Sequence, residues 1–355
     1  MTLDVHGDVV DLLSAIVDIE SVSGHEGPLA DEVETALRAL GHLTVDRVGN
    51  NIVARTALGR RERVIIAGHL DTVPVAGNLP SQRRIVDGED RIYGRGTCDM
   101  KAGVAVALSL AAELDRPRRD VTWIFYDNEE VEAAKNGLGL LERERPDLLA
   151  GDFAVLGEPS DARIEGGCQG SIRFLITTTG IAAHAARAWR GRNAIHEAAD
   201  VLDRLGMYVP RTSEVEGLEY IEGLNAVRIV GGIAGNVIPD RCTIEINFRY
   251  APDRSPQQAA CWVREYFDGY DLDIIDASPA ARPGLDRPIA QEFLAAVGEA
   301  PAPKYGWTDV ARFSARGIPA VNFGPGDALK AHQDDEYCAT ASVRQVRRAL
   351  KTWLG

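Results

Sequence analysis

The strongest constraint on the fold is an alternation of apolar strands and helices across the first half of the chain. Apolar segments of strand length alternate with segments of helical spacing at 9–16, 29–40, 63–67, 103–114, 121–126 and 153–156. Buried apolar strands separated by helices are typical of a mainly parallel sheet with helices on both faces. The sequence therefore predicts an α/β domain with such a sheet.

The middle of the chain has a different pattern, which begins near residue 169 and ends near 279. Strand-like and helical segments follow one another in the order β-α-β-β-α-β: 171–179, 193–206, 225–232, 241–250, 256–267 and 272–275. This order predicts an inserted ferredoxin-like domain over 169–279. A strand at 317–323 and a helix at 342–354 then resume the first pattern, so we predict a discontinuous first domain over 1–168 and 280–355.

Composition and charge limit the kinds of partner that this chain can have. Its 355 residues are 45% hydrophobic and 26% charged, as expected for a folded two-domain protein, and its net charge of -14 argues against a nucleic-acid or membrane partner. The five cysteines are scattered and form no CxxC pair, which favours reduced thiols. Because no signal peptide or long apolar run is present, we expect a cytoplasmic protein.

Acidic and histidine side chains follow several of the predicted strands directly. His69, residues 127–130 and Glu158 each come after a strand, and ligands in parallel sheets bind beyond the carboxyl ends of the strands. Imidazoles and carboxylates are the ligands of divalent transition metals. The candidate residues of the site are His69, Asp71, Asp99, Glu129, Glu130, Glu158 and His332. The set indicates metal-assisted hydrolysis.

The local motifs suggest a role for each residue, although each has an ordinary alternative. In GHLDTVP, His69 is a candidate ligand and Asp71 a partner for its second ring nitrogen, unless the pair forms a surface turn. Asp99, which precedes an apolar helix, has two oxygens that can bridge two metal ions, or it is simply an N-cap. In YDNEE, Glu129 is a candidate general base and Glu130 a ligand, unless the segment is an exposed acidic loop.

Together these motifs resemble those of a known enzyme family. GHLDTVP, GRGTCDMKAG, YDNEE, LGEPS and the late Ala331-His332 are similar to segments of the di-zinc M20 metallopeptidases and deacylases. The resemblance implies one zinc on His69, Asp99 and Glu158 and another on Asp99, Glu130 and His332. It also implies that Glu129 is the base and that Asp71 supports His69. Cobalt or manganese would suit the same ligands.

The resemblance extends to the inserted domain and to substrate binding. It implies that the inserted domain is a lid through which two subunits form a homodimer, with His184 of one subunit polarising the scissile carbonyl in the other. It implies that Asn236 and Arg249 bind substrate carboxylates, because a guanidinium meets a carboxylate bidentately. It places Thr308 and Gly324 in the lining of the same pocket.

Several segments, including GCQGSIRF and YGWTDVARF, resemble the actinobacterial desuccinylase branch of the family. We therefore expect removal of succinate from N-succinyl-LL-2,6-diaminoheptanedioate, a reaction of lysine and cell-wall synthesis. Ala185 and Ala188 stand where this branch has serines, and Arg190 replaces an apolar residue, so another N-acyl-amino-acid deacylase or a dipeptidase is the alternative. A non-catalytic metal-binding homologue is least expected, because Glu129 and every expected ligand are present.

Overall fold

The computed structural model describes residues 3–355 of the chain. The α-helices of this range, α1 to α10 in chain order, are Val9–Val17, Gly27–Arg38, Lys101–Glu113, Gly137–Glu144, Ala194–Glu197, Ala199–Gly206, Pro256–Tyr266, Pro288–Val297, Val310–Ala315 and Thr340–Leu354. Short 3₁₀ helices lie at Pro146–Leu149, Ala185–Arg190 and Ala328–Lys330. None of the helices in the described range is both long enough and apolar enough to cross a lipid bilayer.

The strands are shorter on average and fall into several sheets. In chain order, β1 to β19 are Thr44–Val48, Asn51–Arg55, Arg63–His69, Gln82–Val86, Glu89–Tyr93, Asp120–Tyr126, Phe153–Leu156, Glu165–Gly166, Gly170–Thr179, Ala183–His184, Thr212–Val215, Leu218–Ile221, Gly223–Gly231, Val237–Ile238, Arg241–Tyr250, Leu272–Ser278, Ala302–Pro303, Ala320–Asn322 and Tyr337–Ala339. The strand predicted over 317–323 is thus confined to Ala320–Asn322.

The chain divides into two compact units. The first comprises the chain up to Gly166 together with Pro283–Ala302 and Arg312–Gly355, and the second comprises Gly167–Arg282 with Pro303–Ala311. The predicted boundaries, after residues 168 and 279, lie close to those of the units. Residues 303–311, which the sequence pattern placed in the first domain, group with the second unit.

The first unit is built on a mixed sheet with a parallel centre. Its strand order is β1-β2-β6-β3-β7-β18-β8-β17, and β3 pairs in parallel with both β6 and β7, while β18 pairs in parallel with β7. All seven residues of β6 are buried, as expected for a central strand covered on both faces. The predicted α/β class is confirmed. The antiparallel hairpin of β1 and β2 at one edge was not predicted.

The second unit contains the predicted antiparallel sheet. The strand order is β13-β15-β9-β16. Apolar and polar residues alternate along β15, and the apolar residues Cys242, Ile244, Ile246 and Phe248 are buried. These side chains form a core with residues of the helices, among them Val201 and Val263. The helix predicted over 193–206 consists of two short helices that meet at Ala198.

Helix α3 approaches the end of β7 closely, and this approach depends on a glycine. A Cβ atom added to Gly103 would lie 2.2 Å from the carbonyl oxygen of Gly157, and Gly157 immediately precedes Glu158. Real Cβ atoms do not come so near to a main-chain atom. The absence of a side chain at Gly103 therefore allows the helix to lie this close to the segment that carries Glu158.

We expect Gly103→Ala to lower the free energy of unfolding by about 1–3 kcal/mol, the usual cost of overpacking. Gly206→Ala is the matched control, because a Cβ there would meet nothing within 4 Å and alanine favours a helix. Urea denaturation of the metal-free proteins measures both values. Equal stability of the two variants would contradict the close approach.

Candidate metal centre

Three parallel strands and two loops carry the predicted metal ligands in the first unit. His69 is the last residue of β3, Glu130 lies in the loop after β6, and Glu158 follows β7. Asp99 lies just before α3, and His332 lies between the 3₁₀ turn Ala328–Lys330 and β19. All five come from segments that converge at the carboxyl edge of the parallel strands.

The structure gathers these side chains into two groups that share Asp99. Ligand atoms of His69, Asp99 and Glu158 lie within 4.8 Å of one another, and so do those of Asp99, Glu130 and His332. In the first group, Nε2 of His69 is 3.2 Å from Oδ1 of Asp99. In the second, Nε2 of His332 is 3.3 Å from Oδ2 of Asp99 and 2.9 Å from Oε1 of Glu130. Each Asp99 oxygen thus faces a different imidazole.

Asp71 has more contacts than the sequence indicated. Nδ1 of His69 is 2.9 Å from the main-chain oxygen of Asp71 and 3.4 Å from its carboxylate, so both oxygens can orient the ring. The same carboxylate accepts hydrogen bonds from the main-chain N–H groups of Glu129 and Glu130, each at 3.0 Å. Asp71 is fully buried. It therefore links the histidine to the acidic loop.

Glu129 lies in the same cluster, since its carboxylate is within 4.8 Å of ligand atoms of His69 and Glu130. Two residues that sequence reasoning missed hold the loop that carries Glu129, one directly and one through Asp71. Ser23 Oγ donates to Asp71 at 2.8 Å, and buried Glu26 accepts the N–H of Asn128 at 3.2 Å. Neither lies in a motif, so local sequence offered no signal for them.

The left-handed backbone of two residues also shapes the site. Asn128, which directly precedes Glu129, has a φ of 56°, and the candidate ligand His332 has a φ of 65°. A non-glycine residue in this region costs about 1–3 kcal/mol and persists only where its surroundings hold it. At His332 the ring is held by hydrogen-bonding distances to two carboxylates.

The electrostatics of the cluster favour added positive charge. Hydrogen bonds to Asp99 and Glu130 raise the pKa of His332 to about 10. Burial alone would lower the pKa of His69, but Asp71 and Asp99 raise it well above its ordinary value. Burial raises the pKa of Asp99, and the two imidazoles more than reverse that, so it is lowered. In the metal-free protein the carboxylates therefore favour protonated imidazoles. Divalent cations would supply the same positive charge, and the imidazole and carboxylate donors fit a pair of such ions.

The remaining predicted residues lie in different parts of the molecule. Gly324 belongs to the first unit, and a Cβ there would be 2.1 Å from the oxygen of Gly157, so its loop lies against the Glu158 segment. In the second unit, His184 and Asn236 are neighbours, because the N–H of Ala185 donates to the oxygen of Asn236 at 2.8 Å.

Arg249 and Thr308 also lie in the second unit. Arg249 is on β15, where its Nε donates to Asn247 at 3.1 Å, and burial lowers its pKa. Thr308 is buried in the segment Pro303–Ala311.

The stability of the metal-free protein should depend on pH through the protonation of His332. Its folded pKa of about 10 exceeds the ordinary 6.5, so its contribution to stability is full below about pH 6.5 and is lost as pH rises through 10. The difference in unfolding free energy between the metal-free parent and His332→Ala should therefore shrink between these limits, as denaturation curves at several pH values would reveal. A difference that stays constant with pH would contradict the predicted protonation.

Comparison with known proteins identifies the family of the chain. The chain matches the model of peptidase family M20/M25/M40 over residues 65–355. It is 44% identical to the succinyl-diaminopimelate desuccinylase of Corynebacterium glutamicum, covering 99% of this chain and 97% of that one. It is 50% identical to a Mycobacterium tuberculosis protein provisionally named as the same enzyme, covering 99% of each.

Among solved structures, a dinuclear metal-binding M20 peptidase of Bacillus subtilis has the same fold. Its TM-score is 0.72 at 16% identity, with 98% of this chain and 97% of that chain covered. The expected family resemblance is confirmed by the family match over most of the chain and by the full-length relatives. The chain belongs to the peptidase family M20/M25/M40.

Proposed function

We propose that the protein is a metal-dependent amidohydrolase that removes succinate from N-succinyl-LL-2,6-diaminoheptanedioate and releases LL-diaminopimelate. The observation that carries this proposal is the 44% identity, over nearly the whole of both chains, to a succinyl-diaminopimelate desuccinylase. The clustered donors around Asp99 independently support the metal dependence of the reaction. Such a reaction would serve lysine and cell-wall synthesis in the cytoplasm.

Two zinc ions are the proposed cofactors. His69, Asp99 and Glu158 would hold one, and Asp99, Glu130 and His332 the other, with Asp99 shared because its oxygens face the two imidazoles. Cobalt or manganese would also suit imidazole and carboxylate donors. When bound, the ions would polarise the amide carbonyl and make water more acidic.

Glu129 is the proposed general base. Its carboxylate would take a proton from the attacking water and pass it to the departing amine, which needs a fixed position near the ligands. The Asp71 carboxylate provides that position by binding the main-chain N–H groups of Glu129 and Glu130. Asp71 would also fix the orientation of His69.

The second unit is the proposed lid domain, and the first the catalytic domain. The exposed side chain of His184 suits a role as hydrogen-bond donor, because its Nδ1 accepts the N–H of Ala186 at 3.1 Å. In the neutral ring the proton then lies on Nε2, which can donate to the developing oxyanion. Asn236 and Arg249 would bind substrate carboxylates, with Thr308 and Gly324 lining the pocket.

A second candidate function is hydrolysis of another N-acyl amino acid or of a dipeptide. It is favoured by Ala185, Ala188 and Arg190, which all lie in the exposed 3₁₀ segment directly after His184. Two hydroxyl donors of the desuccinylase pattern are absent there and a cation is added. Loss of such donors would change which acyl group is preferred without altering the metal chemistry.

We propose that the protein is a homodimer formed through β13. This strand lies at the edge of its sheet, and its apolar residues Val227, Ile229 and Val230 are 57%, 49% and 54% exposed. An exposed apolar edge strand readily pairs with another strand. A second copy of the chain would satisfy its main-chain groups and bury these side chains.

Replacement of Glu129 by Gln should lower kcat for succinate release by about 10²–10⁴-fold, the usual contribution of a general base, while metal binding persists. Glu132→Gln is the matched control, because Glu132 lies in the same loop and its exposed carboxylate pairs with exposed Lys135. Succinate release from the zinc-loaded protein is the measurement. Full activity of Glu129→Gln would remove Glu129 from its proposed role.

The same assay with N-acetyl-amino acids and dipeptides separates the two candidate functions. Preferred release of succinate supports the desuccinylase. Cleavage of another substrate in its place, still abolished by Glu129→Gln, would keep the mechanism and replace the substrate.

Val230→Lys should convert the dimer to a monomer, because a charge at the paired edge opposes association. Ile85→Lys is the control, since Ile85 is also an exposed apolar residue but lies on β4 in the first unit. Light scattering after size-exclusion chromatography gives the mass of each variant. A dimer that survives Val230→Lys would place the interface elsewhere.

A further inference from the structure

A buried ion pair lies beside the candidate metal centre but includes none of its ligands. We propose that Arg95 and Glu336 act as positioning residues that hold Asp99 and His332 at the separation that metal binding requires. The inference rests on the two-metal site proposed above. It assigns a role in metal binding to two residues that neither contact the metal nor react with substrate.

Glu336 fixes the main chain around Asp99. Its side chain is 1% exposed, and its Oε1 accepts the N–H of Cys98 at 2.9 Å and the N–H of Asp99 at 3.2 Å. The main-chain oxygen of Glu336 also accepts the N–H of Gly94 at 3.1 Å. The loop that presents the shared carboxylate is therefore bound at several points to a residue that follows His332 closely in sequence.

Arg95 connects its own segment to the segments that carry His69 and His332. Its Nη1 donates to Oε2 of Glu336 at 3.0 Å and to the main-chain oxygen of Gln333 at 3.1 Å, and its Nε donates to the main-chain oxygen of Pro74 at 3.0 Å. Gln333 directly follows His332, and Pro74 closes the segment that begins with His69. One guanidinium thus joins three of the segments that build the site.

The position of His332 explains why such a connection is needed. His332 has a left-handed φ of 65°, a conformation that relaxes unless neighbouring contacts hold it. The hydrogen bond from Arg95 to the main-chain oxygen of Gln333 restrains the residue that directly follows His332. Without that restraint, the 3.3 Å distance between His332 Nε2 and Asp99 Oδ2 would depend on two independent loops.

Burial makes the pair suitable for this role. Arg95 and Glu336 are almost completely removed from solvent, so their attraction is weakly screened, and the fork of the guanidinium fixes direction as well as distance. A lysine has the charge but not the fork. Positioning by Arg95 should therefore need arginine itself, whereas charge balance alone would not.

The test is metal titration of the metal-free full-length protein by calorimetry with Zn²⁺ and with Co²⁺. Glu336→Gln removes the negative charge and places an amide group next to Arg95. We expect the weaker of the two metal-binding steps to lose about 10–100-fold in affinity, which is the usual effect of removing a group that orients metal ligands. In a His332→Ala background the same substitution should have a smaller effect on metal affinity, because its action through His332 is lost and its action on Asp99 remains.

Glu222→Gln is the matched control. Glu222 is a buried glutamate of the second unit that also binds an arginine, Arg211, at 2.8 Å and accepts a main-chain N–H, that of Ala251, at 3.1 Å. Its replacement should lower stability to a similar degree yet leave both metal affinities unchanged. Equal losses of metal affinity in Glu222→Gln and Glu336→Gln would reduce the pair to a general stabilising contact.

Arg95→Lys provides a second, milder variant. It should fold and still weaken metal binding by several-fold, because one ammonium cannot bind Pro74, Gln333 and Glu336 together. Unchanged metal affinity in both variants, or failure of both to fold, would overturn the proposal. These results differ from failure of the proposed function, which would appear as fewer than two ions bound by the unsubstituted protein.

Discussion

The parallel pairing of β3 with β6 and β7 is the interaction on which the site depends. In this register His69 is opposite Tyr126, and Ala67 is opposite Leu156, so the chain leaves all three strands at nearly the same level. The residues that follow, Glu129, Glu130 and Glu158, then meet at one edge of the sheet. A shift of any strand by one residue would turn its side chains to the opposite face.

The second determinant is the balance of charge at that edge. Several carboxylates and two imidazoles have ligand atoms within 4.8 Å of one another, and most of these residues are buried or part-buried, so like charges repel. Asp71 is stabilised by His69 and by the main-chain N–H groups of Glu129 and Glu130. Asp99, Glu130 and Glu158 depend on positive charge, supplied by protonated imidazoles or by metal ions. The fold thus concentrates negative charge at the place where we propose that metal ions bind.

Much of this arrangement could be predicted from the sequence because it is encoded locally. Strand ends followed by His, Asp or Glu identified the candidate ligands, and the order of strand-like and helical segments over 171–275 identified the second domain. Other features depend on contacts between residues distant in sequence. Glu336 occurs in a run of acids that resembles an exposed loop, and only the fold shows that it is buried beside Arg95. The contact of Asp71 with the acidic loop joins residues more than fifty positions apart.

The most direct test of the account is a crystal structure of the zinc-loaded protein with anomalous data collected at the zinc edge. We predict two peaks per chain, separated by about 3.5–4 Å as in other paired-metal sites, with the Asp99 carboxylate between them. A single peak, or two peaks that do not share Asp99, would contradict the central claim that one carboxylate joins two metal sites.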